Sequence, residues 1–287
     1  MLKYRSAIMQ ESFTELEPED YSASIPFPGT NRTWGNQDLI NSIFWKESLR
    51  KPNKENELPK AGSAEWFMHA EKLRYSHYGK WVPKLLEFSK HTGERILCIG
   101  SGLGTDWIQY AKNGAEVWVT TTKDAQDEII RQNFQTRNLT LNLRKLSKQG
   151  ILFSNCSFDV VLLNDFCKEE ITQEHLSSEI QRVLKPGGKL LSLSQSLYNI
   201  NYFLKKVFPT LGNQKNQDPN FYTASELKTI FAFCQESRVH KRHLQRNDLP
   251  PLFRWIPIPL IERLVGKHLV FKGFKPLSQA IPVLQAA

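Results

Sequence analysis

The 287 residues contain no run of about eighteen apolar side chains, so no stretch is long enough to cross a bilayer as a helix. Cysteine is scarce. Cys98, Cys156, Cys167 and Cys234 are widely spaced, which excludes a disulfide-stapled scaffold and a paired thiolate metal site, and no metal is expected. Lys3, Arg5 and Glu11 interrupt any apolar run at the start, so no secretory signal is expected and the expected location is cytoplasmic. Acid is also short, with 29 Asp and Glu against 38 Lys and Arg. The surplus is concentrated in 235–276, where nine bases (Arg238, Lys241, Arg242, Arg246, Arg254, Arg263, Lys267, Lys272 and Lys275) face three acids (Glu236, Asp248 and Glu262). Such an excess fits a solvated face. It also leaves an anionic substrate or a peripheral membrane surface open as partner.

Residues 1–62 read as an extension. An acidic run with a proline at 15–20 and a polar stretch at 51–56 flank one short apolar segment, 39–49, which carries Ile40, Ile43, Phe44 and Trp45. A domain is expected over 63–276, with a tail at 277–287. Ser63 is placed to cap a helix over 64–78, and a second helix is expected over 81–89. Beyond these, strands are expected near 95–99, 115–120, 141–144, 158–163, 189–195, 237–243 and 268–273, with helices near 104–112, 124–136, 172–183 and 223–234. Thr223 and Glu226 form a capping box for the last helix. The proline-broken apolar segment 252–265 reads as packing, as a cap on a pocket or as a membrane contact. Alternating strands and helices specify an α/β fold with a parallel sheet covered on both faces.

The densest signal is Arg95-Ile96-Leu97-Cys98-Ile99-Gly100-Ser101-Gly102-Leu103-Gly104-Thr105, a buried strand breaking into a glycine turn before a helix. Glycine lets the main chain take otherwise strained angles and approach a ligand, and the helix start beyond it offers free amides. With Phe158-Asp159-Val160-Val161-Leu162-Leu163 and Arg182-Val183-Leu184-Lys185-Pro186-Gly187-Gly188-Lys189-Leu190, the segment 94–189 resembles the class I, S-adenosylmethionine-dependent methyltransferases. The resemblance implies a Rossmann-like, mostly parallel seven-stranded sheet, preceded by lid helices that bring Tyr75, His77, Tyr78 and Trp81 to the active-site mouth. It implies S-adenosylmethionine as cofactor and a small molecule as methyl acceptor. Gly100, Ser101, Gly102 and Gly104 would meet the methionine part, Thr121 and Thr122 the ribose, and Leu163 and Asn164 would border the transferred methyl group.

The chain departs from the family pattern where acids are usual: Cys98 in the first strand, Thr121 at the end of the second and Ser147 near the adenine. Asp124 is the nearby acid that would replace the ribose carboxylate, with an ordinary place in the first helical turn as its other reading. No catalytic residue is assigned. Asp165, His69 and His77 are the acid–base candidates, and alignment alone accelerates transfer to an already nucleophilic acceptor. Asn164-Asp165-Phe166-Cys167 lacks the Asn-Pro-Pro-Tyr type of base-flipping motif, so nucleic acid is not expected as a partner. The competing reading is a binding or scaffold module that keeps the fold and has lost the cofactor.

Overall fold

A computed structural model describes residues 59–277 apart from 61, 77–78, 101, 122–123, 147–149, 165–171 and 208–220. The expected extension up to 58, with its apolar segment at 39–49, and the tail from 278 lie outside the described residues. Among the described residues the elements run α1 (Ala64–Arg74), α2 (Val82–Leu85), β1 (Arg95–Gly100), α3 (Thr105–Lys112), β2 (Glu116–Thr121), α4 (Asp124–Gln135), β3 (Asn142–Lys145) and β4 (Phe158–Asn164). They continue with α5 (Gln173–Val183), β5 (Leu184–Ser196), α6 (Ile200–Val207), β6 (Phe221–Tyr222), α7 (Ala224–Ile230), β7 (Gln235–Arg242), α8 (Ile258–Val265) and β8 (His268–Phe274).

Seven strands follow the order β3-β2-β1-β4-β5-β8-β7, and the two-residue β6 adds an eighth by pairing with Gln195 and Ser196 of β5. The expected seven-stranded sheet therefore carries one additional short strand. The first five strands are parallel, while β8 runs antiparallel to both β5 and β7. Alternation along each strand sends one set of side chains to each face. Ile96, Cys98, Val119, Val160 and Leu162 meet α2, α3 and α4 through Leu86, Trp107, Ile108, Ile130 and Phe134. Leu97, Ile99, Val161 and Leu163 meet α5 and α7 through Leu176, Ile180 and Leu227.

The caps behave as the sequence indicates. Ser63 accepts from Trp66 N, and Thr223 and Glu226 form the reciprocal box. Several bounds differ. The first helix stops at Arg74 rather than 78, the second spans only Val82–Leu85, and α7 ends at Ile230. The fifth strand begins at Leu184, five residues early, because a bulge lets Phe158 pair with Leu184 and Val160 with Lys189. The lid helices are packed pieces: Trp66, Phe67 and Ala70 of α1 bury against Leu103 of the glycine turn.

Candidate functional site

Neighbouring connections of β1 and β4 leave the sheet on opposite faces, which opens a crevice beyond their carboxyl ends. There Gly100 lies opposite Asn164. Gly100, Gly102 and Gly104 have φ of +143°, +138° and +73°, all in the region that favours glycine. A Cβ on Gly100 would stand 2.0 Å from the Asn164 carbonyl oxygen, so the close approach of β4 requires glycine. Gly104 is the left-handed residue before α3, and a Cβ there would press at 3.3 Å on Ile130 and Trp107. Two of the three glycines thus have a packing role. Gly102 lies half-buried between them.

Asp106, in the first turn of α3, organises the crevice. One carboxylate oxygen accepts from Arg74 Nε at 3.0 Å and Tyr75 Oη at 2.8 Å, and the other from Arg74 Nη2 at 2.5 Å and Asn164 Nδ2 at 2.9 Å. The pair is sealed, with side-chain exposures of 7% for Arg74 and 3% for Asp106. Burial, reinforced by the Asp106 charge, pushes the Tyr75 hydroxyl well above its ordinary value, so it remains a donor. Burial and the same charge push the Cys98 thiol far up as well. Cys98 is therefore a neutral, fully buried core residue near the Asp106 carboxylate. The partners of Asp106 come from Arg74 and Tyr75, some thirty residues earlier in the chain, and from Asn164, 58 residues later.

At the end of β2 the Thr121 hydroxyl donates to Asp127 Oδ1, and both residues are buried. Asp127 thus places a carboxylate at this strand end, while the side chain of the expected Asp124 lies outside the described residues together with Ser101, Thr122 and Ser147. Leu163 is buried in the core face, and Asn164 closes the floor of the crevice. Among the described residues, buried Asn164 Oδ1 and Thr105 Oγ1 find no hydrogen-bond partner. An orphaned buried polar atom is costly, and these two beside a glycine-lined turn fit a ligand that donates hydrogen bonds, as the methionine part of the cofactor does.

Residues 97–192 match the family model described as a methyltransferase domain. That segment of the chain is similar to methyltransferase domains. The ubiquinone/menaquinone biosynthesis C-methyltransferase UbiE of Ralstonia pickettii is 26% identical over 141 residues, which cover 45% of this chain and 57% of that protein. The protein of the same name in Cupriavidus metallidurans is 23% identical over 190 residues, covering 59% of this chain and 77% of its own length. The chain thus spans just over half the length of the first of these relatives. Among solved structures, a chain in the complex of the Haloferax volcanii Trm112 methyltransferase activator with a methyltransferase aligns at a TM-score of 0.52 and 15% identity, covering 75% of this chain and 96% of that one. That likeness shows the fold.

The fold also gathers residues that spacing did not reveal. His243 follows β7 and His268 opens β8; both are buried, their rings meet edge to face at 5.3 Å, and Trp81 lies 6.3 Å from His268. Burial, then the neighbouring His243, Arg74 and Lys267, hold His268 well below the ordinary histidine range, so it is neutral. Burial likewise lowers Lys267 to about 8. This group sits at the carboxyl end of the sheet, where His268 pairs with Gln195. The earlier candidates are less informative: His69 stays on a half-buried flank of α1, while His77 and Asp165 lie outside the described residues. Among the described residues no cluster of three His, Cys, Asp or Glu is arranged to hold a metal.

Proposed function

We propose that this chain binds S-adenosylmethionine in the crevice beyond β1, β2 and β4 and methylates a small-molecule acceptor, a hydroxylated ring of the quinol type. The observation that carries the reading is the turn of three positive-φ glycines beside the orphaned Asn164 Oδ1 and Thr105 Oγ1. The main chain of Gly100, Ser101, Gly102 and Gly104 holds the methionine part, and Thr121 and Thr122, with Asp127 behind them, hold the ribose. Leu163 and Asn164 border the reacting centre. When bound, the cofactor supplies a methyl group on a sulfonium, which departs as a neutral thioether.

The Asp106–Arg74–Tyr75 network fixes the turn and the Asn164 amide, so no reorganisation is needed when the ligand arrives. The names of the two relatives support a quinol-type acceptor. Calorimetric titration with S-adenosylmethionine and S-adenosylhomocysteine tests the reading, with Gly102→Asp as the blocked control. Micromolar binding that the substitution abolishes, in a variant whose thermal unfolding is retained, is the expected result. No heat with either ligand would favour the non-catalytic scaffold, the reading to which the replaced acids Cys98 and Thr121 point. Methylation of a demethylated quinol, followed by mass spectrometry, then tests the acceptor class.

A further inference from the structure

We infer that the surface formed by 252–264 together with Tyr198 is a docking site for an anionic lipid surface. Five large apolar residues crowd this one segment: Leu252, Phe253, Trp255, Leu260 and Leu264 are 74%, 46%, 78%, 59% and 70% exposed. Scattered single apolar residues are ordinary on a protein surface, whereas a contiguous group marks a contact. α8 shows why they are out. Its Ile258, Ile261 and Val265 pack inward on Ile200, Leu244 and Leu249, so the inner face is already satisfied, and Leu260 and Leu264 project from the outer one. Lys241 ties Tyr198 to this element by donating to the carbonyls of Tyr198 at 3.1 Å and Leu264 at 2.7 Å.

Charge decides which partner the surface suits. The acids of the segment are turned inward: Glu262 accepts from His243 N at 2.8 Å and pairs with Arg242 at 3.6 Å, and Asp248 pairs with Lys267 at 3.1 Å. Arg246, Arg254 and Arg263 are exposed among the apolar residues, and among the described residues none of them pairs with a carboxylate. Exposed tryptophan, tyrosine and leucine interleaved with arginine match the depth and charge of an anionic bilayer interface. A second copy of the chain suits the surface less, because a two-fold contact would set these guanidiniums against their own copies.

Co-sedimentation of the full chain with vesicles of phosphatidylcholine, and with vesicles of equal phosphatidylcholine and phosphatidylglycerol, reads the inference independently of cofactor binding. Binding to the anionic vesicles that falls with added salt is expected. Replacing Trp255, Leu260 and Leu264 together by serine should lower the partition coefficient by at least about tenfold. Arg254→Gln and Arg263→Gln should each lower it by about fivefold. In all of these variants cofactor titration and thermal unfolding should match the parent chain. Absence of binding to anionic vesicles overturns the inference, as does binding indifferent to these substitutions. Concentration-dependent self-association lost in the Leu264→Ser variant would also overturn it, by assigning the face to a second copy.

Discussion

At the carboxyl ends of β1 and β4 the charged groups are sealed, with Asp106 and Arg74 at 3% and 7% exposure, whereas at the amino ends Arg95 and Glu116 remain 38% and 46% exposed although they pair at 3.0 Å. The amino end is mixed, with the Arg95–Glu116 pair open and Glu87, Lys189 and Lys272 only 10%, 18% and 17% exposed. Lys185 pairs with Asp159 at 2.7 Å, and Glu87 receives Lys189 at 2.6 Å and Lys272 at 2.8 Å. A solvated pair contributes little because water serves each partner nearly as well, while a buried one leaves an uncompensated charge if either partner goes. The Lys185-Pro186-Gly187-Gly188 motif, the most family-specific stretch of sequence, lies at the amino end, where a Cβ on Gly188 would meet the Lys185 and Asp159 carbonyls at 2.8 and 3.1 Å. It lies in the first residues of β5, at the end of the sheet away from the glycine turn.

The comparison breaks most sharply at Asp106. Asp106→Ala should cost about 3–5 kcal/mol in denaturant unfolding and abolish binding of S-adenosylhomocysteine, because it strands Arg74. A loss below about 1 kcal/mol would mean that the sealed end behaves like the open one. Gly100→Ala should come next. It should destabilise the fold by about 1–3 kcal/mol and weaken cofactor binding, since its Cβ drives β4 from the turn. Asp127→Asn, on the same side, should weaken cofactor affinity about 10- to 100-fold in calorimetry while leaving the melting temperature nearly unchanged. Unchanged affinity would remove Asp127 from the ribose site.

The amino end sharpens the contrast through pH. Burial works against ionised Glu87, but the Lys189 and Lys272 ammoniums outweigh it and hold its carboxyl at about 2 against an ordinary 4.5. A depressed carboxylate contributes stability above its unfolded value and loses it as pH falls through the folded one. Stability should therefore decline between pH 4.5 and about 2, and Glu87→Gln should flatten that part of an unfolding profile. The smallest effect belongs to Glu116→Gln, expected to cost less than about 1 kcal/mol and to vanish in high salt.

Much of the fold was legible, because period-two strands, capping residues and the glycine turn are local signals. Ser63, Thr223 and Glu226 cap where expected, and the parallel strands fall within a few residues of their expected places. The site was legible in its main chain and obscure in its side chains. Asp127, which meets Thr121 one turn into the helix, carries no local signal that sets it apart from the other acids of 124–128. Asp106 was hidden by an ordinary helix-start role, and the partners that define it lie on α1 and β4. His243 and His268 belong to different strands of the antiparallel pair, and no spacing rule joins them.

Apolar patterning, glycine placement and caps act over a few residues, so the order of these residues alone determined that an α/β sheet forms with a ligand-sized bend after its first strand. Which carboxylates serve that bend, which histidines meet beside it and which apolar residues of 252–264 stay outside were decided only on folding. Charge interactions and burial depend on distance in space, and the distances that matter here are set by segments that lie far apart along the chain.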